Sequence, residues 1–108
     1  MRDAYLYAAQ RLTAVIMAPL VIGHLMTIIV AVQGGLTAEE ILARTQGSLF
    51  WGAFYGLFVI AVGIHAAIGL RTIFAEWLRF RGAVADGTVI VIGLVLIGLG
   101  MRAVGAVI

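Results

Sequence analysis

Three long runs of uncharged, mostly apolar residues divide the sequence. Residues 12–32 and 49–70 contain no Asp, Glu, Lys or Arg, and residues 87–101 form a third such run between Asp86 and Arg102. About 18–20 apolar residues are needed for a helix to cross a hydrocarbon core of about 30 Å. The third run reaches this length if Arg102 extends toward the membrane surface or the helix continues to residue 108. Because backbone in lipid must satisfy its own hydrogen bonds, continuous apolar runs favour helices over isolated strands.

The pattern predicts an all-α membrane protein, a bundle of three transmembrane helices in one domain covering residues 1–108. The helices are expected at about 11–33, 48–74 and 86–105. A cleaved signal peptide is the alternative for the first run, but its apolar stretch is longer than the usual 7–15 residues.

Both connections carry helix-boundary signals. Gly34 and Gly35 should end the first helix. The tetrapeptide Thr37-Ala38-Glu39-Glu40 is typical of a helix start, which predicts a short interfacial helix through Arg44. In the second connection, Gly82 is the expected stop.

Composition excludes several classes of protein. Of the 108 residues 64% are hydrophobic and 11% charged, unlike a water-soluble domain or a disordered chain. The absence of cysteine excludes disulfides, thiolate metal sites and iron–sulfur ligation. All seven basic residues are arginine, too scattered for a nucleic-acid surface. The expected surroundings are lipid.

The arginines also predict an orientation. Cytoplasmic loops of membrane proteins are enriched in basic residues. Five arginines lie on one predicted side, namely Arg2, Arg11, Arg71, Arg79 and Arg81, and two lie on the other, Arg44 and Arg102. The N-terminus is therefore expected in the cytoplasm, or in the matrix of an organelle, and the C-terminus outside.

Two histidines, His24 and His65, lie at membrane depth, where ionisable residues are costly and usually functional. Neutral imidazole is a common axial ligand of haem iron, so each is a candidate ligand. The alternative is a histidine that only hydrogen-bonds across a helix interface. His65 has Ala61 and Gly69 one turn away on the same face, which predicts an open slot for a flat porphyrin. The alternative for these small residues is close helix packing.

The two histidines are expected at different depths, offset by about 10 Å along the bundle. This offset argues against both binding one haem. Pro19, one turn before His24, is expected to kink the first helix and free a carbonyl nearby. A hydrogen bond from His24 to backbone or to a haem propionate is therefore the alternative to ligation.

Further polar residues lie where helices enter the membrane. Glu76 follows His65 by eleven residues, which places it within about 20° of the same face and about 16 Å away. Trp77 beside it suits the interface, and an interfacial anchor is the alternative for this pair. Arg11 and Thr13 begin the first span, where Arg11 either reaches lipid phosphates or points inward. These four residues are expected to cluster at the cytoplasmic level.

Together these residues resemble the membrane-anchor cytochrome b subunits of succinate dehydrogenase and fumarate reductase, over about residues 10–81. The family has an Arg followed two residues later by Ser or Thr on helix one, which Arg11 and Thr13 match. It has His-x-x-x-Gly on helix two, which His65 and Gly69 match. The smaller anchor then has an acid–aromatic pair, usually Asp-Tyr, where Glu76 and Trp77 stand.

The chain departs from this pattern at three positions. Gln10 replaces a histidine of the larger anchor, and Trp77 lacks the hydroxyl of the usual tyrosine. His24 has no clear counterpart in paired anchors, although one-chain anchors use a helix-one histidine as a haem ligand.

The resemblance implies a non-catalytic subunit in a bacterial inner membrane. It implies haem b, with His65 as axial iron ligand and Gly69 and His24 as further cofactor-binding candidates. It also implies a site for ubiquinone or menaquinone formed by Arg11, Thr13, Glu76 and Trp77. The expected partners are a flavoprotein subunit, an iron–sulfur subunit and a second anchor or another copy of the chain. The alternatives are a haem-free structural anchor and a small transporter or channel subunit that uses His24 and His65.

Overall fold

The computed structural model describes residues 2–108, which form four helices. These are α1 (Arg2–Gly34), α2 (Ala38–Thr45), α3 (Leu49–Trp77) and α4 (Ala83–Val107). Helices α1, α3 and α4 are long and apolar enough to cross a membrane, and the molecule measures 47 × 24 × 22 Å. The predicted all-α fold with three spans is confirmed.

The helix ends differ from prediction mainly at the start of α1, which begins at Arg2 instead of at about residue 11. Residues 4–10 include good helix formers (Ala4, Leu6, Ala8, Gln10). The apolar run marks only the part that can lie in lipid, whereas the helix continues beyond it. Likewise α4 continues through Arg102 to Val107.

The turn between α1 and α3 is formed as predicted. Gly35, with φ +125°, follows the last residue of α1. Thr37 and Glu40 form a capping box at the start of α2: Glu40 N–H donates to Thr37 Oγ1 at 3.2 Å, and Thr37 N–H donates to Glu40 Oε2 at 3.1 Å. Arg44 donates to the Gly35 carbonyl at 2.8 Å, which fixes α2 against the end of α1.

The prediction that Gly82 ends a helix is wrong, because Gly82 is the N-cap of α4. Its φ of +99° suits a glycine at the entry to that helix. Helix α3 ends earlier, at Trp77. There Arg79 adopts φ +53° and Phe80 N–H donates to the Phe74 carbonyl at 2.8 Å.

Helix α3 is the central helix, since α1 and α4 each pack against it and make little contact with each other. Both interfaces are antiparallel. Glycines bring α3 and α4 close together: a Cβ on Gly63 would collide with Ile97, one on Gly100 would lie 2.5 Å from Val59 Cγ1, and one on Gly93 would lie 3.1 Å from Ala67 Cβ. Small residues allow such close approach of membrane helices.

Arg71 connects all three long helices at one end of the bundle, which we call the Arg71 end. Its Nε donates to Asp86 Oδ1 on α4 at 2.9 Å, and its NH1 lies 3.8 Å from Asp3 Oδ1 on α1. At the opposite end, which we call the α2 end, Thr45 Oγ1 donates to the Val107 carbonyl and Gly47 N–H donates to the Ile108 carbonyl.

Most large apolar side chains lie on the outside of the bundle. Among the residues described, the buried hydrophobic side chains are few and small or β-branched: Ala61, Ala85, Val89 and Val104. The outer surface therefore suits lipid or other membrane helices.

We expect Gly100→Leu to destabilise the chain by about 1–3 kcal/mol, because the new side chain must displace Val59 in a packed interface. Gly98→Leu on the same helix is the matched control, since nothing lies within 4 Å of its Cβ position. Unfolding in mixed micelles, followed by circular dichroism during denaturant titration, measures both. Equal destabilisation would contradict the glycine-packed α3–α4 interface.

We expect Asp86→Asn to destabilise the chain by about 1 kcal/mol or more, because it removes a charge-assisted bond from a side chain that is 20% exposed. Asp3→Asn should change the stability by less than about 0.5 kcal/mol, because that carboxylate is 90% exposed and its ion pair is long. The same unfolding titration compares them. A larger effect at Asp3 would show that the Arg71–Asp86 pair is not the principal connection.

Candidate functional site

His65 on α3 is held by Thr13 on α1. Thr13 is 6% exposed, and its hydroxyl donates to the Gln10 carbonyl at 3.0 Å. Nδ1 of His65 lies 3.1 Å from the same oxygen. A hydroxyl has only one proton. A proton on the Gln10 carbonyl side and a donor role for Nδ1 together satisfy both contacts, and this arrangement assigns the Nδ1–H tautomer to a neutral His65.

This tautomer leaves a lone pair on Nε2 of His65. No described residue bonds that nitrogen, and it is not among the enclosed polar atoms of the chain. Metal-binding histidines are typically fixed in this way, with the other ring N–H donated to an oxygen. The contact therefore presents Nε2 as a possible ligand at the surface of the chain.

The small residues near His65 do not form the expected open slot. The Cβ position of Gly69 lies 3.4 Å from Gln10 Nε2, and Ala61 is buried. Helix α1 packs along this face of α3, so the Gln10 side chain occupies the space beside Gly69. Gln10 Oε1 is buried there without a hydrogen-bond partner. Any flat group bound at Nε2 must therefore lie outside the α1–α3 interface.

His24 forms a second polar cluster, with Thr27 on α1 and Tyr55 on α3. Thr27 Oγ1 donates to the His24 carbonyl at 2.6 Å and lies 3.0 Å from the Tyr55 hydroxyl. By the same proton count, Tyr55 donates to Thr27, and His24 Nδ1–H donates to Tyr55 across a long 3.4 Å contact. The ring of His24 thus contacts Tyr55 and not the backbone carbonyl that was one of its predicted alternatives, and α1 continues through Pro19 without interruption.

The ring of His24 packs edge-on against aromatic rings. Its centroid lies 5.6 Å from those of Tyr55 and Phe58. It also lines a groove of about 250 Å³ formed mainly by apolar residues: Phe58, Val59, Val62, Gly63, Leu96 and Gly100. This is the interfacial hydrogen-bonding role that the sequence left open for His24.

The two histidines lie at different depths. Tyr55, the partner of His24, precedes His65 by ten residues on α3, which corresponds to about 15 Å along the helix. Two nitrogens on one metal lie only about 4 Å apart, since each metal–nitrogen bond is about 2 Å. The structure therefore does not bring His24 and His65 together for a shared metal.

The four residues expected to cluster for quinone do not share one level. Thr13 faces His65, whereas Glu76 lies eleven residues further along α3, about 16 Å away. Arg11 is exposed, with its guanidinium 5.8 Å from the centre of the Tyr7 ring. Trp77 is 80% exposed. The prediction placed the start of α1 near residue 11. Because α1 begins at Arg2, Arg11 lies about 13 Å along the helix from that end of the bundle.

Glu76 instead belongs to a cleft at the Arg71 end. The cleft has a volume of about 330 Å³ and is largely polar, lined by Asp3, Arg71, Thr72, Glu76, Phe80, Arg81 and Asp86. The sequence did not predict the ion pair of Arg71 with Asp86 or the contact of Tyr55 with His24, because each joins residues that are distant in sequence. Antiparallel pairing of α3 with α4 and with α1 would have placed these residues at the same level.

The chain matches the family model described as Succinate dehydrogenase/Fumarate reductase transmembrane subunit over residues 2–101. No curated protein and no solved structure matches it. Since the family match runs through all three spanning helices, the chain belongs to the family of succinate dehydrogenase/fumarate reductase transmembrane subunits.

Proposed function

We propose that this subunit binds haem b through Nε2 of His65 and forms part of the quinone site of its complex. The observation that supports the first part is the Thr13–His65 hydrogen bond. It fixes the ring and leaves the lone pair that iron requires on Nε2, a nitrogen that no described residue bonds. Haem b, when bound, supplies a one-electron carrier within the membrane.

A second ligand for the haem iron would come from a partner chain. His24 lies about 15 Å along the bundle from His65 and cannot reach the same iron. His24 serves the α1–α3 interface through Tyr55. Gly69 acts indirectly, because it makes room for Gln10 one turn from His65. Residues of this chain and of a second membrane subunit would therefore hold the haem together.

The quinone site lies at the Arg71 end of the bundle. Quinone is apolar, and its reduction takes two protons, so the site needs ionisable groups at the membrane edge. Glu76, Thr72 and Arg71 provide a carboxylate, a hydroxyl and a guanidinium around one cleft. Trp77 is exposed at this end and is available to a ligand or to a partner subunit. Arg11 is exposed too, but it lies further along the bundle, near the level of Thr13.

An iron–sulfur subunit, itself joined to a flavoprotein, docks at this same end. Three exposed residues follow α3 there, Arg79, Phe80 and Arg81, and they offer charge and an aromatic ring to a soluble partner. The concentration of arginines at this end supports a cytoplasmic location in a bacterial inner membrane.

We expect His65→Ala to abolish haem binding, because it removes the iron ligand from this chain. The variant is purified with its partner subunits, and the reduced-minus-oxidised absorbance spectrum gives haem content. His24→Ala is the matched control and should keep at least half of the haem. An unchanged b-type spectrum in His65→Ala would contradict the proposal and favour a haem-free anchor or a transporter.

Thr13→Val should weaken haem retention by about 10–100-fold, because the isosteric side chain cannot accept the Nδ1–H bond that sets the tautomer. Thr13→Ser keeps the hydroxyl and should retain haem. Haem titration with a midpoint-potential measurement distinguishes this effect from misfolding, since a merely structural role would leave the potential of the bound haem unchanged. Equal haem retention and equal midpoint potentials in Thr13→Val and Thr13→Ser would contradict the role assigned to Thr13.

Glu76→Gln should lower quinone reduction at least tenfold, because it removes the proton-carrying carboxyl from the cleft. Electron transfer from the dehydrogenase to a soluble dye should stay unchanged, since it bypasses the quinone. Glu39→Gln, on α2 at the opposite end, is the matched control and should have no effect. Quinone turnover that survives Glu76→Gln would exclude Glu76 from the site.

A further inference from the structure

A groove lies between α1, α2 and α3 at the α2 end of the bundle, and we call it the α2 groove. It has a volume of about 250 Å³ and a largely apolar lining. Met26 and Val30 line it from α1, Trp51 and Tyr55 from α3, and Arg44 from α2. The α2 groove shares no lining residue with the cleft at the Arg71 end. It therefore has no part in the proposed quinone site.

The α3 side of the α2 groove is an aromatic wall that the fold holds in place. The rings of Trp51 and Tyr55 are stacked, with centroids 5.8 Å apart and planes 25° apart. Phe54 packs edge-on against Trp51, with centroids 5.4 Å apart. On the α1 side, Met26 and Val30 are 58% and 52% exposed. These two walls offer a preformed apolar surface to a long hydrocarbon chain.

The hydroxyl groups that line the α2 groove are already used as donors inside the chain. Thr27 donates to a carbonyl of its own helix, Tyr55 donates to Thr27, and Thr45 donates to a carbonyl of α4. Each hydroxyl has only one proton. The donors that remain are Arg44 and the indole N–H of Trp51, which bonds no described residue. The polar part of the groove is therefore dominated by a cation.

Arg44 is the one charged side chain among the described residues that line the α2 groove. It is half-buried, and one of its five N–H groups donates to the Gly35 carbonyl at 2.8 Å, which holds the guanidinium beside the end of α1. No described carboxylate forms an ion pair with it. Glu40, one turn earlier on α2, accepts instead from the Thr37 N–H. The guanidinium keeps donors for an anion, and a phosphate accepts two of them side by side.

The α2 groove has the length and polarity of one lipid leaflet. Its charged end lies at Gly35, where Arg44 is bound, and its inner end lies at Gly23. These two residues are twelve apart on α1, or about 18 Å along the helix. One leaflet is about 20 Å thick with its headgroups, of which about 15 Å is hydrocarbon. A phosphate at Arg44 therefore lies at headgroup depth, and the apolar part of the groove runs toward the middle of the membrane.

We propose that the α2 groove binds one anionic phospholipid, with its phosphate on Arg44 and an acyl chain between α1 and the aromatic wall at Trp51. Charge complementarity identifies the headgroup, because a guanidinium without a carboxylate partner favours a lipid of net negative charge over one that carries its own cation. The bound lipid connects α1, α2 and α3 at the end of the bundle opposite Arg71. The inference requires neither the haem nor the quinone site, since none of its residues belongs to them.

Fluorescence quenching of the full chain tests the proposal. The chain has two tryptophans, so Trp77→Phe leaves Trp51 as the only one, and this variant is reconstituted in phosphatidylcholine vesicles. Phospholipids with brominated acyl chains quench a tryptophan that they contact. We expect brominated phosphatidylglycerol to quench Trp51 about fivefold more efficiently per mole than brominated phosphatidylcholine. Equal quenching by the two lipids would show ordinary contact with the bilayer and would overturn the proposal.

Arg44→Gln separates the charge from the hydrogen bond, because its amide can still donate to the Gly35 carbonyl. It should remove the preference for phosphatidylglycerol, since the anion has lost its cation. Arg102→Gln is the matched control, because Arg102 is an exposed arginine near the end of α4 that does not line the α2 groove. Equal loss of the preference in the two variants would show only a general attraction of arginine to anionic lipid and would overturn the proposal.

A second pair of variants fills the groove and leaves Arg44 in place. Val30→Phe puts a larger side chain into the α2 groove, and Val32→Phe, at a position that is 64% exposed and does not line it, is the matched control. With both chains folded by circular dichroism, Val30→Phe should lose the preference and Val32→Phe should keep it. An unchanged preference in Val30→Phe, or displacement of the brominated lipid by an equimolar amount of ubiquinone, would overturn the proposal.

Discussion

The proton of the Thr13 hydroxyl determines the chemistry available at His65. Because Thr13 donates to the Gln10 carbonyl, it accepts from Nδ1 of the imidazole, and a neutral ring that donates from Nδ1 has its lone pair on Nε2. The interaction has two effects, since it satisfies polar groups between two apolar helices and sets the tautomer that the proposed iron ligation requires. The position of α1 on α3 is thus linked directly to the proposed function.

The same proton count applies to His24, but with a different result. There His24 donates to Tyr55, Tyr55 donates to Thr27, and Thr27 donates to the His24 carbonyl. The rings of Tyr55 and Phe58 pack against the imidazole. Each histidine contributes to a polar contact between α1 and α3, and these contacts lie about 15 Å apart along the bundle. Contacts at two depths fix the register of two helices that otherwise share mainly apolar surface. His24 therefore has a structural explanation that needs no ligand.

Much of the fold is predictable from the sequence, because the lengths of apolar runs and the capping residues are local signals. The three spans, the glycine end of α1 and the capping box of Thr37 and Glu40 all follow from neighbouring residues. The start of α1 and the role of Gly82 were mispredicted, since helices continue beyond lipid and a glycine serves either end of a helix. For the candidate site, the ligand role of His65 stays a prediction, and the surroundings of that residue were not predictable. Gln10 fills the space beside Gly69 only because of how α1 packs on α3, and no local pattern reports that packing.

The glycines of α4 show how one helix presents two different faces. Gly93 and Gly100 meet α3, where an added methyl group would collide with neighbouring residues, whereas Gly98 and Gly105 meet nothing within 4 Å among the described residues. The first pair sets the distance between α3 and α4, because only a residue without a side chain fits there. The second pair lies on the outer surface with most of the large apolar side chains, where the packing of α3 and α4 imposes no such limit. The same residue type therefore has a structural explanation at two positions of α4 and none within the bundle at the other two.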